Sequence, residues 1–149
     1  MTKVLAVASG GGHWVELRRL RPAFAEFDVA YVTVQADYFE DVPGHRFYTV
    51  RDASRFEKIS FIILIAQLVR VLLIERPDIV ITTGSAPGFV TLALAKFLLR
   101  AKTIWIDSIA NYETMSSSGK QARRVADVWL TQWPHLQRPE GPDCWGAVI

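Results

Sequence analysis

The opening of the chain limits what it can fold into: Val4-Leu5-Ala6-Val7-Ala8-Ser9-Gly10-Gly11-Gly12-His13. A short apolar run with β-branched residues reads as a buried strand. Trp14, Leu17 and Leu20 then recur at helical spacing. A strand, a glycine turn and a helix start are thus compressed between Val4 and Leu20. The consecutive glycines strip every Cβ from the turn, so a ligand can approach the backbone closely. Their N–H groups and the helix N-terminus present partial positive charge to an anion, phosphate above all. His13 sits at the lip of that site. The plainer alternative is a tight turn without a ligand, for which one glycine normally suffices. The spacing is not G-x-G-x-x-G, which counts against a dinucleotide.

Strand and helix patterns alternate along the rest of the chain, as in a parallel sheet covered on both faces. Pro22 ends or kinks the first helix. Residues 29–34 read as a second strand, 35–44 as a loop with a short helix, and 46–50 as a third strand. Residues 57–75 are the longest helix candidate. Its middle, 61–74, is apolar except for Gln67 and Arg70. That is too short and too charged to span a bilayer. Ser60, Gln67 and Arg70 form a narrow polar stripe, with Ile63 and Leu64 close to it, so the outward face is expected to be apolar. Arg51, Arg55, Lys58 and Arg76 flank the segment. Two readings fit: a surface element for an anionic membrane face or a partner protein, or a core helix packed on both sides.

Residues 78–82 form a fourth strand that runs into Thr83-Gly84-Ser85-Ala86-Pro87-Gly88. Ser85 is placed to cap the next helix and Pro87 to sit in its first turn. The helix is expected to reach about Leu99. This repeats the strand–turn–helix arrangement and makes Gly84 and Ser85 a second candidate anion site. Residues 103–107 form a fifth strand ending in Asp107, at the edge where open α/β sheets bind ligands. Asp107 is either a base there or the cap of a turn. Residues 111–120 are polar and serine-rich, too long for a simple connection, and suit a functional loop. They lack the Walker spacing. Residues 122–126 make a short helix at most, and 127–131 a sixth strand. The tail, 139–149, holds two prolines and reads as a last short strand or a linker.

Half of the 149 residues are hydrophobic and 21% are charged, which places the chain among single globular domains and not disordered segments. A net charge of +2 gives no argument for nucleic acid. The lone Cys144 excludes an internal disulfide framework and fits a reducing cytosol. No secretory leader is visible. His45 and His135 show no metal spacing with each other or with Cys144, so no metal or cofactor is expected and both read as loop histidines.

Five segments appear in a recognisable order: Ser9-Gly10-Gly11-Gly12-His13, Thr83-Gly84-Ser85, Ile106-Asp107-Ser108, Ser116-Ser117-Ser118-Gly119-Lys120 and Gln132-Trp133. Together they resemble the acceptor-side subunit of the split lipid-linked sugar transferases. One branch is the membrane-associated subunit of the eukaryotic asparagine-linked-glycosylation UDP-N-acetylglucosamine transferase. The other, more similar, is the bacterial capsule and exopolysaccharide subunits. The resemblance implies an α/β fold, a Rossmann-like parallel sheet with helices on both faces, equivalent to the N-terminal half of a GT-B glycosyltransferase. It implies that residues 1–149 form a single acceptor-binding domain, and that the nucleotide-sugar is held by a separate donor-binding protein. The pair would transfer a sugar from a UDP-sugar to a polyprenyl-diphosphate-linked saccharide, with inversion, and the chain alone would be inactive. The expected location is cytoplasmic, peripheral on the inner face of the plasma membrane. Two departures stand out: Asp107 replaces a more usual glutamate, and the eukaryotic N-terminal anchor is missing. The second shifts expected membrane contact to Ile63, Leu64 and Arg70.

In this reading an acceptor hydroxyl must lose a proton as it attacks the anomeric carbon. An imidazole, with an ordinary pKa near ~6.5, suits that task at neutral pH. His13 is the first candidate for the base. Asp107 is the second, orienting His13 or binding a sugar hydroxyl. Ser9, Gly10, Gly11, Gly12, Gly84 and Ser85 would supply donors to the diphosphate. A rival reading is a non-catalytic subunit that docks the acceptor or the membrane for a self-sufficient enzyme. A small dehydrogenase fits poorly, because Thr33-Val34-Gln35 stands where a ribose-binding acid belongs.

Overall fold

The computed structural model describes residues 1–53 and 57–149. Arg55, one of the basic residues expected beside the long helix, lies outside them. Seven strands, β1 (Lys3–Val7), β2 (Asp28–Thr33), β3 (Arg46–Thr49), β4 (Ile79–Thr82), β5 (Lys102–Ile106), β6 (Val128–Thr131) and β7 (Asp143–Cys144), form one sheet. Its order is β3-β2-β1-β4-β5-β6-β7, and every neighbouring pair is parallel. The expected doubly covered parallel sheet is therefore present. Strands β2 to β6 fall within one residue of their sequence-predicted bounds, and β7 is a two-residue strand inside the tail read as a short strand or a linker.

Helices α1 (Gly12–Arg19), α2 (Lys58–Glu75), α3 (Ser85–Leu99) and α4 (Ser117–Ala122) make the connections, with 3₁₀ turns at Arg21–Phe24 and Ala36–Asp41. On one face α2, α3 and α4 bury Leu64, Leu68, Leu72, Leu92, Ala95 and Ala122 against Leu5, Val7 and Val80. On the other, α1 and the first 3₁₀ turn bury Trp14, Leu17 and Phe24 against Val4, Ala6 and Tyr31. Each fully buried side chain of this size is worth about 1.5–3 kcal/mol. The strand order reverses between β1 and β4. The helices that follow these two strands leave on opposite faces, which opens a crevice at the carboxyl ends of the strands.

Three local expectations are corrected. The outward face of α2 is rotated from the one expected. Its exposed residues are Lys58, Ile59, Ile62, Ala66, Arg70, Leu73 and Ile74, while Leu64 is fully buried and Ile63 half-buried. The polar stripe misled because Ser60 is buried, its hydroxyl donating to Glu57 at 3.0 Å, and Gln67 accepts the Arg51 N–H at 2.8 Å. Leu64 is thus core and not a membrane or partner contact, whereas Arg70 is exposed. At α3, Gly84 occupies the cap position and Ser85 is the first helical residue, with no capping hydrogen bond from its side chain. The helix expected over 122–126 begins earlier, where Ser116 caps α4 by accepting the Gly119 N–H at 2.9 Å.

At the opposite end of the sheet Glu75 closes α2. Arg46 donates to both its carboxylate oxygens, at 2.8 and 3.0 Å, and Tyr48 donates to one of them. Burial alone would raise the Glu75 pKa. The Arg46 and Tyr48 hydrogen bonds outweigh it and hold the carboxyl below its ordinary range.

Candidate functional site

The two glycine turns meet at the crevice between β1 and β4. Gly11 has φ +66 and ends the first turn; its N–H donates to the Tyr38 hydroxyl at 3.1 Å. Gly84 has φ 128 and ψ −173, backbone that is essentially restricted to glycine. A Cβ there would stand 2.8 Å from Cε1 of His13. The close approach lets the two turns bond to each other. Nδ1 of His13 lies 3.0 Å from the Thr83 carbonyl, and the Thr83 hydroxyl donates to the His13 carbonyl at 2.6 Å. A carbonyl only accepts, so Nδ1 carries the hydrogen of the neutral ring. Nε2 is left with its lone pair, free to take a proton.

His13 and Ser85 line one pocket of about 250 Å³ with Ser108, Ala110, Asn111 and Ser116 to Ser118. It opens at the N-terminus of α3, where unpaired backbone N–H groups favour an anion. Ser85 adds two unusual features. Its φ is +76, in the left-handed region that non-glycine residues avoid. Its hydroxyl oxygen is buried and has no hydrogen-bond partner among the described residues. Ser85 thus combines backbone strain with an unpaired polar atom.

Asp107 has surroundings other than those expected of a base or of an imidazole partner. It is 1% exposed and its carboxylate already accepts four hydrogen bonds. The donors are Trp105 Nε1 (3.1 Å), Asn111 Nδ2 (3.2 Å), the Ser116 N–H (3.0 Å) and the Ser116 hydroxyl (2.7 Å). Among the described residues His13 is not one of its partners. Asp107 lies beneath the pocket and fixes the loop that forms its wall. Gly119 is packed so closely on this carboxylate that no Cβ fits there.

Ser9, Gly10, Gly11 and Gly12 stand beside His13 but do not line the pocket. Ile63, Leu64 and Arg70 lie apart from it on α2. Glu16, which the sequence did not single out, is 3% exposed one helical turn beyond His13. Its Oε1 accepts the Ile109 N–H and Gln132 Nε2, both at 2.8 Å. Gln132 also donates to the Asp107 carbonyl at 2.9 Å. Glu16 thereby ties α1, which carries His13, to the loops after β5 and β6. The available signal was a carboxylate at helical spacing from His13.

Known proteins resemble this chain in sequence and in fold. The family model described as "Oligosaccharide biosynthesis protein Alg14 like" matches residues 24–148. The UDP-N-acetylglucosamine transferase subunit ALG14 of Mus musculus is 33% identical over 69 residues, 42% of this chain and 31% of that protein. Its counterpart in Eremothecium gossypii is 30% identical over 79 residues, 49% of this chain and 35% of that protein. The matches thus span about a third of the length of these relatives. Among solved structures, MurG of Acinetobacter baumannii superposes with a TM-score of 0.73 at 14% identity, over 96% of this chain and 47% of that one. A UDP-N-acetylglucosamine 2-epimerase of Rickettsia bellii gives 0.67 at 18% identity, over 91% and 40%. These likenesses show the fold, a Rossmann-like half of the GT-B architecture. With the family match covering most of its length, the chain belongs to the Alg14-like family of oligosaccharide biosynthesis proteins, subunits related to glycosyltransferases.

Proposed function

We propose that the chain is the acceptor-binding subunit of a two-component, inverting GT-B glycosyltransferase, with residues 1–149 acting as one unit. A separate donor-binding half would present a UDP-sugar across the crevice. The acceptor would be a polyprenyl-diphosphate-linked saccharide, and the product an oligosaccharide precursor. The bacterial branch of the resemblance favours a capsule or exopolysaccharide as its destination.

The observation that carries this reading is the pairing of His13 and Ser85 across the crevice. The Thr83 carbonyl fixes the tautomer of His13 and leaves Nε2 as a proton acceptor. The Ser85 hydroxyl and the N-terminal N–H groups of α3 offer donors to a phosphate. The acceptor hydroxyl would pass its proton to Nε2 as its oxygen attacks the anomeric carbon and UDP departs. Asp107 would act as a positioning residue that holds the serine-rich wall. Ser9, Gly10, Gly11 and Gly12 would border the diphosphate from the opposite turn. Membrane contact would come from the exposed stripe of α2. That helix runs antiparallel to the strands, so Ile59 and Ile62 lie at the same end of the molecule as the pocket. No helix among the described residues is long and apolar enough to cross a membrane.

His13→Ala in the reconstituted complex tests the central role. Loss of a general base costs roughly 10²–10⁴-fold in turnover, with partner binding unchanged. Wild-type turnover in the variant would remove the base role from His13 and favour a docking subunit without catalysis.

A further inference from the structure

Beside the His13 pocket the structure holds an aromatic cluster that the proposed chemistry does not use. Tyr112 is 56% exposed. Its ring meets that of Trp133 edge-on at 4.8 Å between centroids, and that of His135 tilted at 4.7 Å. The cluster is rigidly held. Trp133 Nε1 donates to the Ile109 carbonyl at 2.7 Å, and His135 Nε2 lies 2.6 Å from the Tyr112 carbonyl. Its position matters more than its composition. The pocket of His13 and Ser85 ends at Ala110 and Asn111, and the same two residues begin a second, more open depression that continues through Tyr112, Glu113 and Thr114. The two adjoin at these shared residues in one trough beside the carboxyl ends of β4 and β5, with Trp133 and His135 behind Tyr112.

We propose that this trough is a glycosyl-diphosphate site, in which the Tyr112–Trp133–His135 cluster is the platform for the sugar ring next to the diphosphate. The inference rests on the proposed acceptor role of the His13 pocket. A pyranose has an apolar C–H face and a polar rim. An exposed aromatic face beside a carboxylate and a hydroxyl, here Tyr112 with Glu113 and Thr114, matches both. A phosphate at the head of α3 places the attached sugar at the next position along the trough. A protein partner would need no such continuity with the anion pocket.

Titration by NMR or calorimetry tests the site with four probes. These are inorganic pyrophosphate, a short prenyl diphosphate, the same prenyl diphosphate carrying N-acetylglucosamine, and free N,N′-diacetylchitobiose. The wild-type chain is expected to bind the glycosylated diphosphate about tenfold more tightly than the unglycosylated one, as one stacked aromatic face allows. Tyr112→Ala should abolish that difference and leave pyrophosphate binding unchanged, and Tyr112→Phe should retain it. The proposal is overturned if Tyr112→Ala keeps the tenfold preference, or if the wild type has none while still binding pyrophosphate. The diphosphate reading then stands alone. If no diphosphate binds but chitobiose perturbs the Trp133 indole in a Tyr112-dependent way, the platform stands and the diphosphate reading falls. Loss of donor-subunit affinity in Tyr112→Ala, with the sugar preference intact, would identify a protein interface and overturn the platform.

Discussion

A carbonyl facing Nδ1 of His13 leaves that nitrogen one role, as a donor, and so assigns the other nitrogen the chemistry. The arrangement depends on Gly84, whose backbone no other residue adopts easily and whose missing Cβ makes room for the imidazole. Gly84→Ala therefore forces either the turn or the ring to move, at a cost of about 1–3 kcal/mol. The expected result is a shifted His13 imidazole resonance, a lower melting temperature and a fall in turnover approaching that of His13→Ala. An unchanged resonance and rate would show that the close approach of the two turns does not hold the histidine. The glycines were legible in the sequence because their meaning is local. Gly10 to His13 announces a tight strand-to-helix turn whatever lies elsewhere. The surroundings of Asp107 and Glu16 were not legible. Glu16 meets partners 93 and 116 positions away, and Asp107 is occupied by a loop whose path only the folded chain defines. Ser85 looked like a helix cap because serine usually is one. In the structure Gly84 takes the cap position, and Ser85, with a positive φ, makes no capping bond.

At the scale of elements, the strands and the long helix follow from periodicity, and the errors lie in rotation and phase. Helix α2 is apolar nearly all round, so its sequence says little about which side faces out. Polar residues that find partners, Ser60 on Glu57 and Gln67 on the Arg51 backbone, do not mark solvent. The exposed stripe carries Ile59, Ile62, Leu73 and Ile74 with Arg70, and Lys58 stands at its start. Basic residues near an anionic surface contribute about 1 kcal/mol each. Replacing Ile59 and Ile62 together with glutamate should weaken sedimentation with anionic liposomes and leave the melting temperature nearly unchanged. Leu64→Glu should instead unfold the protein, since an unpaired charge in the core costs several kcal/mol. Unchanged sedimentation of the folded double variant would assign membrane contact to another element or to the partner.

The whole molecule is a seven-stranded sheet whose order reverses between β1 and β4, with one half of a cleft built at that point. Alternating strand and helix patterns made this architecture legible before any contact was known. MurG of Acinetobacter baumannii, which it resembles in fold, is about twice as long, and this chain covers 47% of it. In the proposed reading, a second body carrying the nucleotide-sugar completes the active site. The direct measurement is sugar transfer to a prenyl-diphosphate-linked acceptor from a panel of UDP-sugars, with the purified chain alone, with its donor-binding partner, and with the two combined. Turnover is expected only in the combined sample, and it should fall with His13→Ala while the complex remains intact. Robust turnover by the isolated chain, or by the partner alone at the rate of the pair, would contradict the account.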